Sequence, residues 1–114
     1  THGEASVDYP DFGYKLAGYI AAGKAERGIA LCAAGIGISI AVNRNPGVRC
    51  ALVSEPLSAA LSREHNDANV IALGARMIGV EMAKACLTAF LTTPFCGDRQ
   101  TRRVGKLGKA GAGT

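Results

Sequence analysis

The chain has 114 residues, 48% hydrophobic and 19% charged, enough for one domain whose core needs no disulfide or metal staple. No apolar run approaches the roughly 20 residues of a membrane span, and the first four residues have neither the basic flank nor the apolar core of a secretory signal, so a cytoplasmic protein with no membrane partner is the default. The net charge of +4 is concentrated in Arg99, Arg102, Arg103, Lys106 and Lys109, and with 5% aromatics and no Trp there is little surface for stacking bases, which disfavours nucleic acid and favours a small anion.

In chain order, Asp8-Tyr9-Pro10-Asp11 reads as a helix start, with proline tolerated and acids favoured in the first turn, and Gly23 as its stop, giving a helix over 11–22. Gly28 to Cys32 is a short continuous apolar run, as are Val48 to Val53 and Val70 to Leu73. Runs apolar on both faces suit strands of a parallel sheet. Between them lie a helix from Ile36 to Arg44, stopped by Asn45-Pro46-Gly47, and another from about Glu55 to Glu64, with Ser54 as candidate cap and Pro56 in its first turn. Ile78, Met82, Ala85, Cys86, Ala89 and Phe90 recur at helical spacing before Thr93-Pro94. Residues 105–114, glycine-rich with little to bury, read as a flexible tail after a domain over 1–104. The sum is an α/β domain, a Rossmann-like three-layer αβα sandwich with a mainly parallel sheet, whose ligands belong beyond the carboxyl ends of the strands.

The four cysteines, at 32, 50, 86 and 96, lack Cys-x-x-Cys spacing and read as reduced thiols. Cys32 differs from the rest, because it closes a strand and opens a glycine-containing turn at a helix N-terminus, where negative charge and thiolate are favoured. On composition alone a cysteine at a strand end is more often a buried packing residue. His65-Asn66-Asp67, between a helix and a strand, reads by itself as a solvated loop. Arg99 and Arg103, four apart, share a face if their segment is helical, and the guanidinium fork matches phosphate oxygens; a solvated basic end is the plain alternative. Gly35-x-Gly37 lacks the third glycine and downstream acid of a dinucleotide site.

Residues 7–11, 31–43, 63–70 and 99–103 together resemble the ribose-5-phosphate isomerase B family, which includes the galactose-6-phosphate isomerase subunits, and the resemblance spans nearly the whole chain. It implies an aldose-ketose isomerase of ribose 5-phosphate and ribulose 5-phosphate working through a cis-enediolate, with no metal or cofactor. Under that resemblance Cys32 is the base removing the C2 proton, and the amides of Ala33, Ala34, Gly35, Ile36 and Gly37 cradle the enediolate. His65 is the acid opening the furanose ring, Asn66 holds sugar oxygens, Arg99 and Arg103 clamp phosphate with Arg76 assisting, and Tyr9 lines the sugar pocket, although Tyr-Pro at a helix start also serves as an apolar staple. The family's His-Asn pair reaches into a neighbouring subunit's site, which implies a homodimer or a dimer of dimers.

The chain departs from the family where Gly-Thr-Gly usually follows the cysteine: Ala33-Ala34-Gly35 lacks the threonine hydroxyl, and Gln100 stands where a histidine is common. Relatives also begin with a further strand carrying an Asp-His pair, a helix and a second strand, so the expectation is that these 114 residues are the later part of a longer domain. Two alternatives stay open: a six-carbon substrate such as galactose 6-phosphate, and a non-catalytic sugar-phosphate-binding subunit.

Overall fold

Strand and helix alternate as the apolar runs require. The computed structural model describes residues 8–97 and 99–108. Helix α1 (Tyr9–Ala21) leads to β1 (Gly28–Cys32), α2 (Ile36–Val42), β2 (Cys50–Leu52), α3 (Pro56–Asn66), β3 (Val70–Gly74), α4 (Val80–Thr92) and α5 (Arg99–Leu107). The three strands form a parallel sheet in the order β1-β3-β2, with Gly28 and Cys50 both level with Val70. Each connecting helix therefore runs back against the strand direction. Helices α1 and α2 cover one face through a core of Ala17, Ile20, Ala30, Ile38, Val42, Val48, Val70 and Ala72. On the other face α3 and α4 bury Val53, Ala59, Ala68, Ile71, Leu73, Cys86 and Phe90. Odd and even residues of β3 serve opposite layers, and all five are buried, as a central parallel strand demands. This is the Rossmann-like αβα sandwich.

The outer strands are finished differently. The Asn43 side-chain amide donates to Cys50 O at 2.8 Å and accepts from Cys50 N at 2.7 Å, imitating a neighbouring strand on the free edge of β2. This shortens the expected 36–44 helix, which ends at Val42, and only Cys50 to Leu52 of the 48–53 run are strand. On β1 the alternation leaves Ile29 and Leu31 exposed.

Two more expectations are corrected. The cap of α3 is Glu55 rather than Ser54: its carboxylate accepts from Leu57 N at 2.6 Å and Ser58 N at 2.9 Å, and from the Ser58 hydroxyl. These bonds, led by the Ser58 hydroxyl, hold the Glu55 carboxyl below its ordinary value. The boundary after 104 falls inside α5, so residues 105–107 are helical; the rest of the expected tail, from 109 on, and residues 1–7 lie outside the described residues.

Candidate active site

The carboxyl edge of the sheet gathers one set of the expected residues. After Cys32 the chain turns through Ala33, Ala34 and Gly35 into α2, and the turn is sewn to the loop after β3: Ala75 N–H donates to Cys32 O at 2.7 Å and Arg76 N–H to Ala33 O at 2.9 Å. Gly35 holds φ +78°, and a Cβ there would lie 2.7 Å from Leu52 Cδ1 and 3.1 Å from the Gly74 nitrogen, so both conformation and space demand glycine. The first-turn N–H groups of α2, Ile36 and Gly37 among them, have no intrahelical acceptor and present partial positive charge to the turn. Tyr9 lays its ring against Gly37 so closely that a Cβ would sit 2.5 Å from two ring carbons.

Cys32 shares its side of β1 with the buried Gly28 and Ala30 and leans on the α1/α2 core while remaining half-buried. Its sulfur is thus on the side of the sheet where Tyr9 and Gly37 meet. Two hollows flank the turn. One of about 290 Å³ is lined by Ala34, Ile36, Leu52, Ser54, Gly74 and Met77, and one of about 140 Å³, between α1 and α2, by Tyr9, Tyr14, Gly37, Ile40 and Arg44. Arg76 stands exposed on the adjoining loop. Among the other thiols, burial pushes Cys50 up to about 12 and raises Cys86 as well, which removes both as nucleophiles near neutral pH.

The other expected residues lie at the opposite edge. His65 and Asn66 form part of the last turn of α3 rather than a loop, both exposed. An eleven-residue helix antiparallel to the strands carries them roughly 16 Å down the sheet, so one chain does not bring Cys32 and His65 together. Helix α5, which begins at Arg99 and carries the exposed Arg103, packs on α3. Its end, Leu107 and Gly108, shares a hollow of about 290 Å³ with Asn43, Arg49 and Asn66.

Sequence reasoning missed the charged residues that shape this edge. Arg63 is buried and donates through Nη1 to Asp67 Oδ1 at 2.7 Å and to Ala68 O at 2.8 Å, and through Nε to Thr93 O at 3.1 Å. Arg49, just before β2, reaches Asp67, Nε to the carbonyl at 2.9 Å and Nη2 to Oδ2 at 3.4 Å. The four-residue spacing of Arg63 and Asp67 was the available signal.

The chain is similar to known proteins. The family model described as Ribose/Galactose Isomerase matches residues 1–107. The chain belongs to this family. A ribose-5-phosphate isomerase B of Escherichia coli is 43% identical over 104 residues, 91% of this chain and 70% of that protein. The D-erythrulose-4-phosphate isomerase of Pectobacterium atrosepticum is 46% identical over 100 residues, 88% of this chain and 66% of that one. The solved structure of Clostridium thermocellum ribose-5-phosphate isomerase B superposes with a TM-score of 0.94 at 47% identity, covering 99% of this chain and 76% of its own. Membership of the ribose/galactose isomerase family makes the chain a sugar-phosphate isomerase. No helix among the described residues is long and apolar enough to cross a membrane.

Proposed function

We propose that this family member interconverts ribose 5-phosphate and ribulose 5-phosphate in the cytoplasm, as a homodimer or dimer of dimers whose sites join the carboxyl edge of one copy to the amino edge of another. The observation that carries the proposal is the separation of Cys32 from His65 within the chain: a base and an acid on opposite edges of one sheet become one site when two copies meet antiparallel across a two-fold axis. The Cys32 thiolate takes the C2 proton of the open-chain aldose, and the negative charge moves to O1 and is met by the amides of Ala33 to Gly37. Return of the proton from Cys32 to C1 and transfer of the O2 proton to O1 complete the ketose. The His65 of the second copy gives a proton to the furanose ring oxygen as its bond to C1 breaks, and the O1 proton passes to solvent. Asn66, Arg99 and Arg103 of that copy hold hydroxyls and phosphate, with Arg76 and Tyr9 closing the site from the first. Apart from the anomeric proton, which solvent takes, the bound sugar and the chain's own groups account for the proton transfers, and the scheme uses no cofactor.

The test is complementation. Cys32→Ala and His65→Ala proteins are each inactive alone, whereas mixing and reassembling them restores about a quarter of the wild-type rate, since half the random dimers are mixed and each holds one intact site. Additive silence of the mixture overturns the shared site. The family's Ribose/Galactose description favours a six-carbon aldose phosphate as second substrate, and Ala34, lacking the usual hydroxyl, favours a subunit that binds without turnover. Assaying the purified protein on five- and six-carbon sugar phosphates separates all three.

A further inference from the structure

We propose that Arg63, Asp67 and Arg49 are positioning residues that set the direction in which His65 and Asn66 project, and thereby control ring opening without touching the proton transfer at carbon. The inference rests on the functional reading above and deepens it. Its ground is a contrast within eight residues. The backbone from Ser62 to Asn69 is tied at nearly every point: Ala68 N–H to Ser62 O at 2.9 Å, Asp67 N–H to Arg63 O at 3.2 Å, Cys96 N–H to Glu64 O at 3.2 Å and Asn69 N–H to Arg49 O at 3.0 Å. Arg49 N–H donates to Asn69 Oδ1 at 2.7 Å. The side chains of Glu64, His65 and Asn66 have no hydrogen bond among the described residues, and of these His65 and Asn66 are exposed.

Asp67 closes this helix end at φ +48°, the sole non-glycine with positive φ among the described residues. That conformation is strained for a side chain and persists only when its surroundings over-determine it. Here the surroundings are two guanidinium groups, one on each carboxylate oxygen, and the Arg49 bond to its carbonyl. Burying an arginine is a poor way to gain stability, because desolvation offsets the attraction, whereas a fork bound to several acceptors fixes a geometry. Arg63 ties together three acceptors, at the C-cap of α3, before β3 and after α4.

The experiment exploits the two ends of the reaction. Ribose 5-phosphate is presented as a closed furanose, but ribulose 5-phosphate has its O5 esterified, cannot close a five-membered ring, and meets Cys32 already open. Turnover of ribose 5-phosphate is compared with uptake of deuterium at C1 of ribulose 5-phosphate in D2O. Asp67→Asn keeps a side chain that tolerates the left-handed conformation and removes the ion pairs. It is expected to lower ribose 5-phosphate turnover about tenfold, part of the contribution of one general acid, and to leave deuterium uptake within about twofold, with His65→Asn giving the same split more strongly. Arg49→Gln, at the rim of the clamp, gives the split if Asp67→Asn does not fold. Equal losses in both readings, or none in either, overturn the positioning role while the isomerase reading stands. Wild-type protein inert in both assays overturns the isomerase reading and this inference with it.

Discussion

The two edges of the sheet solve the problem of holding reactive groups in opposite ways. At the carboxyl edge the turn from Cys32 to Gly37 is shaped by backbone: a left-handed glycine, amides donating across loops, and a tyrosine ring pressed on a residue without a Cβ. At the amino edge the end of α3 is shaped by charge, with Arg63 and Arg49 closing on Asp67. A backbone cradle tolerates changes of side chain so long as glycine stays where it is required. A charged clamp depends on each partner. Such a cradle admits Ala33, whose carbonyl rather than its side chain joins the turn to Arg76.

The largest expected effect separates chemistry from scaffold at the carboxyl edge. Cys32→Ala should lower isomerisation by about 1000-fold or more, the loss of its proton acceptor, with sugar-phosphate affinity retained; calorimetry beside the rate assay checks both, and unaltered turnover breaks the assignment. At the amino edge, Arg63→Ala should cost about 2–4 kcal/mol in urea unfolding, because it strips a buried donor from Asp67, Ala68 and Thr93, with the partial exposure of Asp67 and its second arginine moderating the loss. A cost below that of an ordinary surface change would show that the clamp holds little. Gly35→Ala should cost about 1–3 kcal/mol and lower the rate together with stability, since the new Cβ would meet Leu52 and the Gly74 backbone; wild-type stability would show the turn to be adaptable.

The smallest effect lies at the cap of α3, where that helix starts from the carboxyl edge. The folded Glu55 carboxyl titrates below its ordinary 4.5, so its contribution is complete above that pH and disappears as acidification passes through the lowered value. Glu55→Gln should therefore reduce the urea midpoint slightly at neutral pH, with the two proteins converging towards the acid end.

Much of this molecule was legible in its residues. The bounds of β1, the existence of β2 and β3, and the helices between them followed from apolar runs ended by turn residues, because a buried strand and a one-sided helix leave different periods in a sequence. The resemblance named the same residues that the fold distributes over its two edges. Arg63 stayed hidden because a helical arginine two residues before a histidine looks like any solvated charge until α4 is placed over it. Glu55 was passed over as a cap because Ser54 has the commoner side chain for that role, and Asn43 because a helix-ending asparagine gives no sign that it will pair with a strand.

The sequence by itself determined the order of elements, the glycine turn after Cys32 and the family, since these depend on short-range patterns of polarity, size and backbone freedom. Tertiary structure alone decided that Cys32 and His65 stand at opposite ends of the sheet and that Arg63 is buried. Both follow from the antiparallel return of α3 and the packing of α4 on it, and these are relations between segments that no local pattern encodes.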